Sequence, residues 1–274
     1  MSRILRTTVS HSILIWGVLL MIVPLWLVFA SSTHTNSFIY NEGMQWKIGG
    51  EFFENYDRVL NRKGGFTKEI TASGIFYNSF IMAFGIASLS VFVSMMAAYS
   101  LVYFKTRFST LFFWLIFITL LVPLELRILP SYQIVSDLNL LNSYAGLILP
   151  LSASAIATFF FRQYYRSIPE ELLEAAKLDG ANSWKFFIDF LVPLSKTMVA
   201  AMFIFMFVYG YNQYLWPLIM TTSEKYWTVV MGLKMIYGGN SVDRYTYVIL
   251  SLIPPVIIIV FLQRLFIQGL FQSK

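Results

Sequence analysis

Residues 170–194 read EELLEAAKLDGANSWKFFIDFLVPL, the one long polar, helix-forming stretch held between two strongly apolar ones. Residues 170–177 are strong helix formers, Glu, Leu, Ala and Lys. Pro169 sits at the first turn, where a missing N–H costs nothing. Glu170 and Glu171 follow, carrying the charge that a helix N-terminus prefers. Gly180 suits a left-handed helix cap. Asn182 or Ser183 then caps a second helix over 184–191, and Pro193 opens the next apolar run. The pattern predicts a helix–glycine–helix elbow. Leu172, Leu173, Ala176 and Leu178 give it an apolar stripe, with Glu171, Glu174 and Lys177 on another face. From these residues alone the elbow fits an ordinary amphipathic connector as well as a moving part.

On either side the chain is a series of uncharged runs near the roughly 20 residues a membrane span needs. They are 13–30, 71–104, 108–124, 138–161, 197–223 and 245–263. The second is too long for one straight span, so its first residues are expected at the interface. The first follows Arg3 and Arg6 and is read as a retained helix, because Phe29-Ala30-Ser31-Ser32 is a weak cleavage site. Residues 31–73 mix charged groups with aromatic ones and predict a loop with one or two short helices on the membrane surface, one near 52–60. The expected organisation is an N-terminal helix (1–30), an external loop (31–73), a five-helix core (74–267) containing the elbow at 167–196, and a short tail (268–274).

Composition excludes much. Of 274 residues 57% are hydrophobic and only 12% charged, against roughly 25% charged in a soluble domain. This is an all-α membrane protein. With no cysteine, disulfides, thiolate metal sites and cysteine nucleophiles are excluded. His11 and His34 read as span-end or loop residues, far from any acidic cluster, and no metal site is expected. The net charge of +6 reports topology rather than nucleic acid. Arg162 and Arg166, with Lys105 and Arg107, lie in short connections beside span ends and favour both termini inside. No GxxxxGK[ST] phosphate loop is present, so any ATP chemistry belongs to another polypeptide. A membrane enzyme would need a clustered acid, base or metal set at one membrane face, and the acids here are spread along the elbow.

The elbow also carries a spacing. Glu174-Ala175-Ala176, three residues, Gly180, nine residues, then Phe190-Leu191-Val192-Pro193 resembles the EAA loop of ABC-importer permeases. Phe190 and Val192 depart from that pattern, apolar for apolar. Residues from about 75 to 270 resemble the carbohydrate-type permeases of the maltose-importer class. Within that class, 111–130, 142–163 and 209–218 are similar to the smaller permeases of sn-glycerol-3-phosphate importers.

The resemblance implies a six-span MetI-like (type I) permease fold in a bacterial inner membrane. It implies an ATPase-coupling site at Glu174, Ala175, Ala176, Gly180 and Pro193. The implied partners are a related permease in a heterodimer, an ABC ATPase dimer holding ATP and magnesium, an external binding protein and the bilayer, with no nucleic acid and no cofactor on this chain. The implied cargo is sn-glycerol 3-phosphate, with glycerophosphodiesters as further cargo; a sugar or oligosaccharide is the alternative.

Ionisable groups at membrane depth are functional suspects. Glu125 and Arg127 stand between Pro123 and Pro130, and are read either as path residues or as groups snorkelling at the interface. Tyr209, Asn212, Gln213 and Trp216 recur at helical spacing and are expected on one face, lining the path or bonding to a partner helix. Pro217 is expected to break that helix. Gly238, Gly239, Asn240 and Asp243 form a candidate contact with the binding protein, or a plain connecting loop.

Overall fold

The computed structural model describes residues 3–61, 70–104, 106–235 and 240–271. No strand occurs among them. The helices are α1 (Arg3–Ser31), α2 (Asn36–Glu42), α3 (Phe52–Asn61), α4 (Ala72–Tyr103), α5 (Ser109–Ile118), α6 (Leu124–Asp137), α7 (Tyr144–Ile148), α8 (Ala155–Ser167), α9 (Glu170–Leu178), α10 (Ser183–Phe186), α11 (Val192–Leu194), α12 (Lys196–Tyr211), α13 (Leu215–Met220), α14 (Val229–Met235) and α15 (Ser241–Phe271). Three stretches are unbroken helices long and apolar enough to cross a membrane: Thr7–Ser31, Ala72–Tyr103 and Ser241–Leu265. Three bent pairs bring the number to as many as six, if each pair is one span: Ser109–Leu121 with Leu124–Asp137, Tyr144–Leu151 with Ala155–Ser167, and Ser183–Leu194 with Lys196–Tyr211.

The chain forms two compact units, the first made of Met1–Phe76 and Val230–Ile253. Much of α1 in this unit exposes apolar side chains, Trp16 and Leu20 among them, as a surface meant for lipid does. Its C-terminal end is buried and polar. Asn55 donates to the carbonyls of Ser32 and His34, both at 2.9 Å. The amide of Gly49 donates to Thr33 Oγ1 at 2.7 Å, and the Trp26 indole donates to the Trp46 carbonyl at 3.0 Å. The Tyr56 and Ser32 hydroxyls lie 3.0 Å apart, and burial pushes the Tyr56 phenol up. Residues 31–61, with the two short helices α2 and α3, form a hydrogen-bonded cap on the end of α1.

The second unit comprises Tyr77–Val229 and Pro254–Lys274. Its buried core joins Tyr99 and Met95 of α4, Phe161 and Tyr165 of α8, Ala176 of α9, Phe186 and Phe187. Three bends shape it, and each differs from a straight span. Pro123, extended at φ −63° and ψ 154°, separates α5 and its 3-10 extension from α6 by 105°. The apolar run at 108–124 therefore ends as a helix at Leu121, and Glu125 and Arg127 open a new one.

The run expected as a span at 138–161 begins instead with a turn. Asn139 and Asn142 both take positive φ, 54° and 53°, a region asparagine tolerates better than most residues. The Asn142 carboxamide oxygen accepts from the amides of Thr222 and Ser223, both at 2.8 Å. Gly146 is forced here, because any Cβ would overlap the Leu140 carbonyl oxygen. The helix resumes after Ser154, whose hydroxyl caps α8.

The third bend, 75°, falls at buried Ser195, so the long helix starts at Lys196 and not at Pro193. Pro193 lacks the N–H that residue 189 would accept in a regular helix. The preceding turn, Phe187–Leu191, opens to π-helix, with the Val192 amide reaching Phe187 O.

Candidate functional site

Two regions carry candidate function, both inside the second unit. The first is the elbow. α9 ends in a two-bond cap: Ala181 N donates to Ala176 O at 2.9 Å, and Gly180 N donates to Lys177 O at 3.0 Å. This cap needs a left-handed residue, and Gly180 supplies it at φ +77°. Asn182 Oδ1 then accepts from Lys185 N at 2.8 Å and starts α10. The two caps turn the chain sharply with few backbone groups left unpaired. The second helix covers the expected 184–191 and runs from Ser183 to Leu194 as α10, the π turn and α11.

Ala176 faces inward, 1% exposed. Glu174, Ala175, Lys177 and Gly180 face outward, as does Leu178, 90% exposed. Pro193 is exposed and lies at the far end, beside the bend. Two tyrosines brace the elbow. Tyr99 of α4 donates to Ser183 O at 2.8 Å, and Tyr164 of α8 donates to Leu194 O at 2.6 Å. The elbow is thereby hydrogen-bonded to both α4 and α8. These braces span 84 and 30 residues of sequence, and no local spacing announces them.

The second region is a cleft of about 350 Å³. α6 brings Glu125 and Arg127 to it, α12 brings Tyr209, and Gln213 follows from the break after α12. Gln213 Nε2 donates back to Tyr209 O at 3.3 Å. Thr119 and Ser154 add hydroxyls, while Phe205 and Met206 form an apolar wall. Glu125 and Arg127 both line this cleft, although two positions apart on α6. Thr119 and Ser154 were not singled out in the sequence, because isolated hydroxyls in apolar runs look like helix packing residues.

The four residues at helical spacing do not stay together. The helix stops at Tyr211, before Pro217, which sits harmlessly in the first turn of α13. Beyond the break Trp216 turns inward, 0% exposed, and its indole donates to Leu147 O at 3.1 Å. Asn212 is exposed and lines a shallower, mostly apolar groove with Ala201, Ile204 and Val208. Tyr209 and Gln213 remain at the cleft.

In the first unit, Asp243 accepts from Arg58 Nη2 at 2.7 Å and Nε at 3.0 Å, and Arg58 also donates to Asn55 Oδ1 at 2.7 Å. Asn240 Oδ1 accepts from Val242 N at 3.0 Å at the start of α15. Gly238 and Gly239 lie outside the described residues. Among the described residues no group of His, Cys, Asp or Glu could hold a metal ion.

Apolar helices long enough to span a membrane, a capped polar elbow and a polar cleft are features an importer permease needs. The chain belongs to the family described as binding-protein-dependent transport system inner membrane component, whose sequence profile matches residues 90–272. It is 43% identical over 270 residues to the sn-glycerol-3-phosphate transport system permease protein UgpE of Yersinia pestis bv. Antiqua (strain Antiqua), covering 96% of this chain and 95% of that one. It is 42% identical over 273 residues to UgpE of Escherichia coli (strain K12), covering 98% and 97%. The fold matches a solved bacterial ABC transporter involved in the import of the acidic polysaccharide alginate, with a TM-score of 0.78 over 96% of this chain and 98% of that one, at 21% identity. The chain is thus a multi-pass inner-membrane permease component, and not itself an enzyme.

Proposed function

We propose that this chain is the permease subunit through which an ABC importer passes sn-glycerol 3-phosphate, and glycerophosphodiesters with it. The reading rests on near-full-length identity of 42–43% to permeases named for that substrate. The cleft supports it. Glycerol 3-phosphate is a small dianion with two hydroxyls. Arg127 offers a guanidinium for phosphate, and Thr119, Ser154, Tyr209 and Gln213 offer hydrogen bonds for hydroxyls. Glu125 keeps the cleft from holding phosphate too tightly, since like charge opposes it. A transport path needs that balance, because bound cargo must leave.

In this account a second, related permease completes the path. A separate ATPase dimer carries ATP and magnesium, and an external protein delivers the cargo. Both termini and the elbow at 167–196 face the cytoplasm, while 31–73 and 240–243 face outward. ATPase closure pushes the face carrying Glu174, Ala175 and Gly180. Tyr99 and Tyr164 pass the push to α4 and α8. The 75° bend at Ser195, with the π turn before it, is where α12 can swing.

The test is uptake of sn-glycerol 3-phosphate by proteoliposomes carrying the complete importer. Removing a charge-assisted hydrogen bond costs about 1.5–3 kcal/mol. Arg127→Ala is therefore expected to lower uptake at limiting substrate about tenfold or more, and Arg127→Lys to restore much of it. Undiminished uptake by Arg127→Ala would remove Arg127 from the path.

A further inference from the structure

α8 ends with Arg162 and Arg166, four positions apart and so on one helix face. Among the described residues neither guanidinium has a carboxylate within ion-pair distance. Like charges at this spacing destabilise a helix by a few tenths of a kcal/mol, which an anion bound between them would relieve. Arg162 is held in place from below, its guanidinium carbon 3.8 Å from the centroid of the Phe113 ring. The two arginines open onto a cavity of about 300 Å³, also lined by Leu101, Val102, Tyr103 and Glu170.

The location selects the ligand. The run 138–161 before Arg162 carries no charged side chain, so the arginines stand where hydrocarbon gives way to headgroups. Leu101 and Val102 supply an apolar wall, and Phe104 beyond them is 54% exposed. Basic pockets between spans at this depth suit lipid phosphate. We propose that the cavity binds the phosphodiester headgroup of an anionic glycerophospholipid, with Arg162 and Arg166 on the phosphate and an acyl chain along Leu101 and Val102. Glu170 opens α9, so the occupied site ties the start of the elbow to the bilayer. The proposal needs only a membrane-embedded chain and is independent of the cargo.

The assembled importer, in detergent with equimolar phosphatidylglycerol and phosphatidylcholine, is examined by native mass spectrometry for retained lipid. Each basic residue near a membrane surface is worth about 1 kcal/mol, or about fivefold. Wild type is expected to retain phosphatidylglycerol over phosphatidylcholine more than tenfold. Arg166→Gln, at an exposed position, should reduce that preference about fivefold, Arg166→Lys should keep most of it, and the double change with Arg162→Gln should abolish it. Equal retention of both lipids by wild type, or an unchanged preference in the double variant, overturns the proposal. So does loss of a partner subunit from Arg166→Gln with lipid preference intact, which would mark a protein contact. Displacement of the lipid by millimolar inorganic phosphate would mark a simple anion site and overturn the lipid assignment.

Discussion

Glu174→Lys is expected to abolish substrate-stimulated ATP hydrolysis by the assembled importer while leaving the permease folded. Glu174 is exposed on α9 and makes no hydrogen bond or ion pair to the rest of this chain among the described residues, so its replacement removes no internal contact. Lysine is as good a helix former as glutamate, which preserves α9. The effect falls on the partner. Losing one member of a desolvated charge pair costs about 2–5 kcal/mol, and at the lower end that weakens ATPase docking about thirtyfold. Reversing the charge adds repulsion. Melting of the isolated permease should move little. Unchanged stimulation in Glu174→Lys would show that this face does not couple.

Trp216→Ala is expected to act in the opposite manner, on stability and not on recognition. The indole is fully buried and donates to Leu147 O. Deleting a buried tryptophan side chain costs about 3–5 kcal/mol. At roughly 2–4 °C per kcal/mol for a chain of this size, the melting midpoint should fall by about 10 °C. Trp216→Phe should recover part of the loss. The substrate concentration giving half-maximal uptake should stay unchanged in whatever protein survives. A shifted half-saturation with an unshifted midpoint would return Trp216 to the path.

Trp216 also shows where sequence reading stops. Its spacing from Tyr209 and Gln213 is helical, and only the break at residues 212–214 separates them. Pro217 was the visible breaker, yet proline is tolerated in a first helical turn, and the chain breaks before it. The turn at Asn139 and Asn142 was hidden for a similar reason, since both take positive φ inside an otherwise apolar run, and Asn142 there accepts from Thr222, 80 residues away. The bend at Ser195 depends on a buried serine and a π turn that no periodicity reveals.

What was legible had a local cause. Charge-free runs marked the membrane helices, because hydrocarbon tolerates no unpaired charge. The elbow was legible because helix caps are short-range chemistry: Gly180 and Asn182 do what their types suggest. Glu125 and Arg127 stood out as charges among apolar residues and do reach the cleft. The cap on α1 was only half legible. α3 showed in its spacing, but Asn55 and the Arg58–Asp243 pair join residues 21 to 185 positions apart.

The most direct test of the account is uptake of labelled sn-glycerol 3-phosphate into proteoliposomes holding this chain with its partner permease, ATPase and binding protein. The account predicts ATP-dependent accumulation that unlabelled glycerol 3-phosphate abolishes and maltose leaves intact. Accumulation of the sugar in place of glycerol 3-phosphate would contradict it.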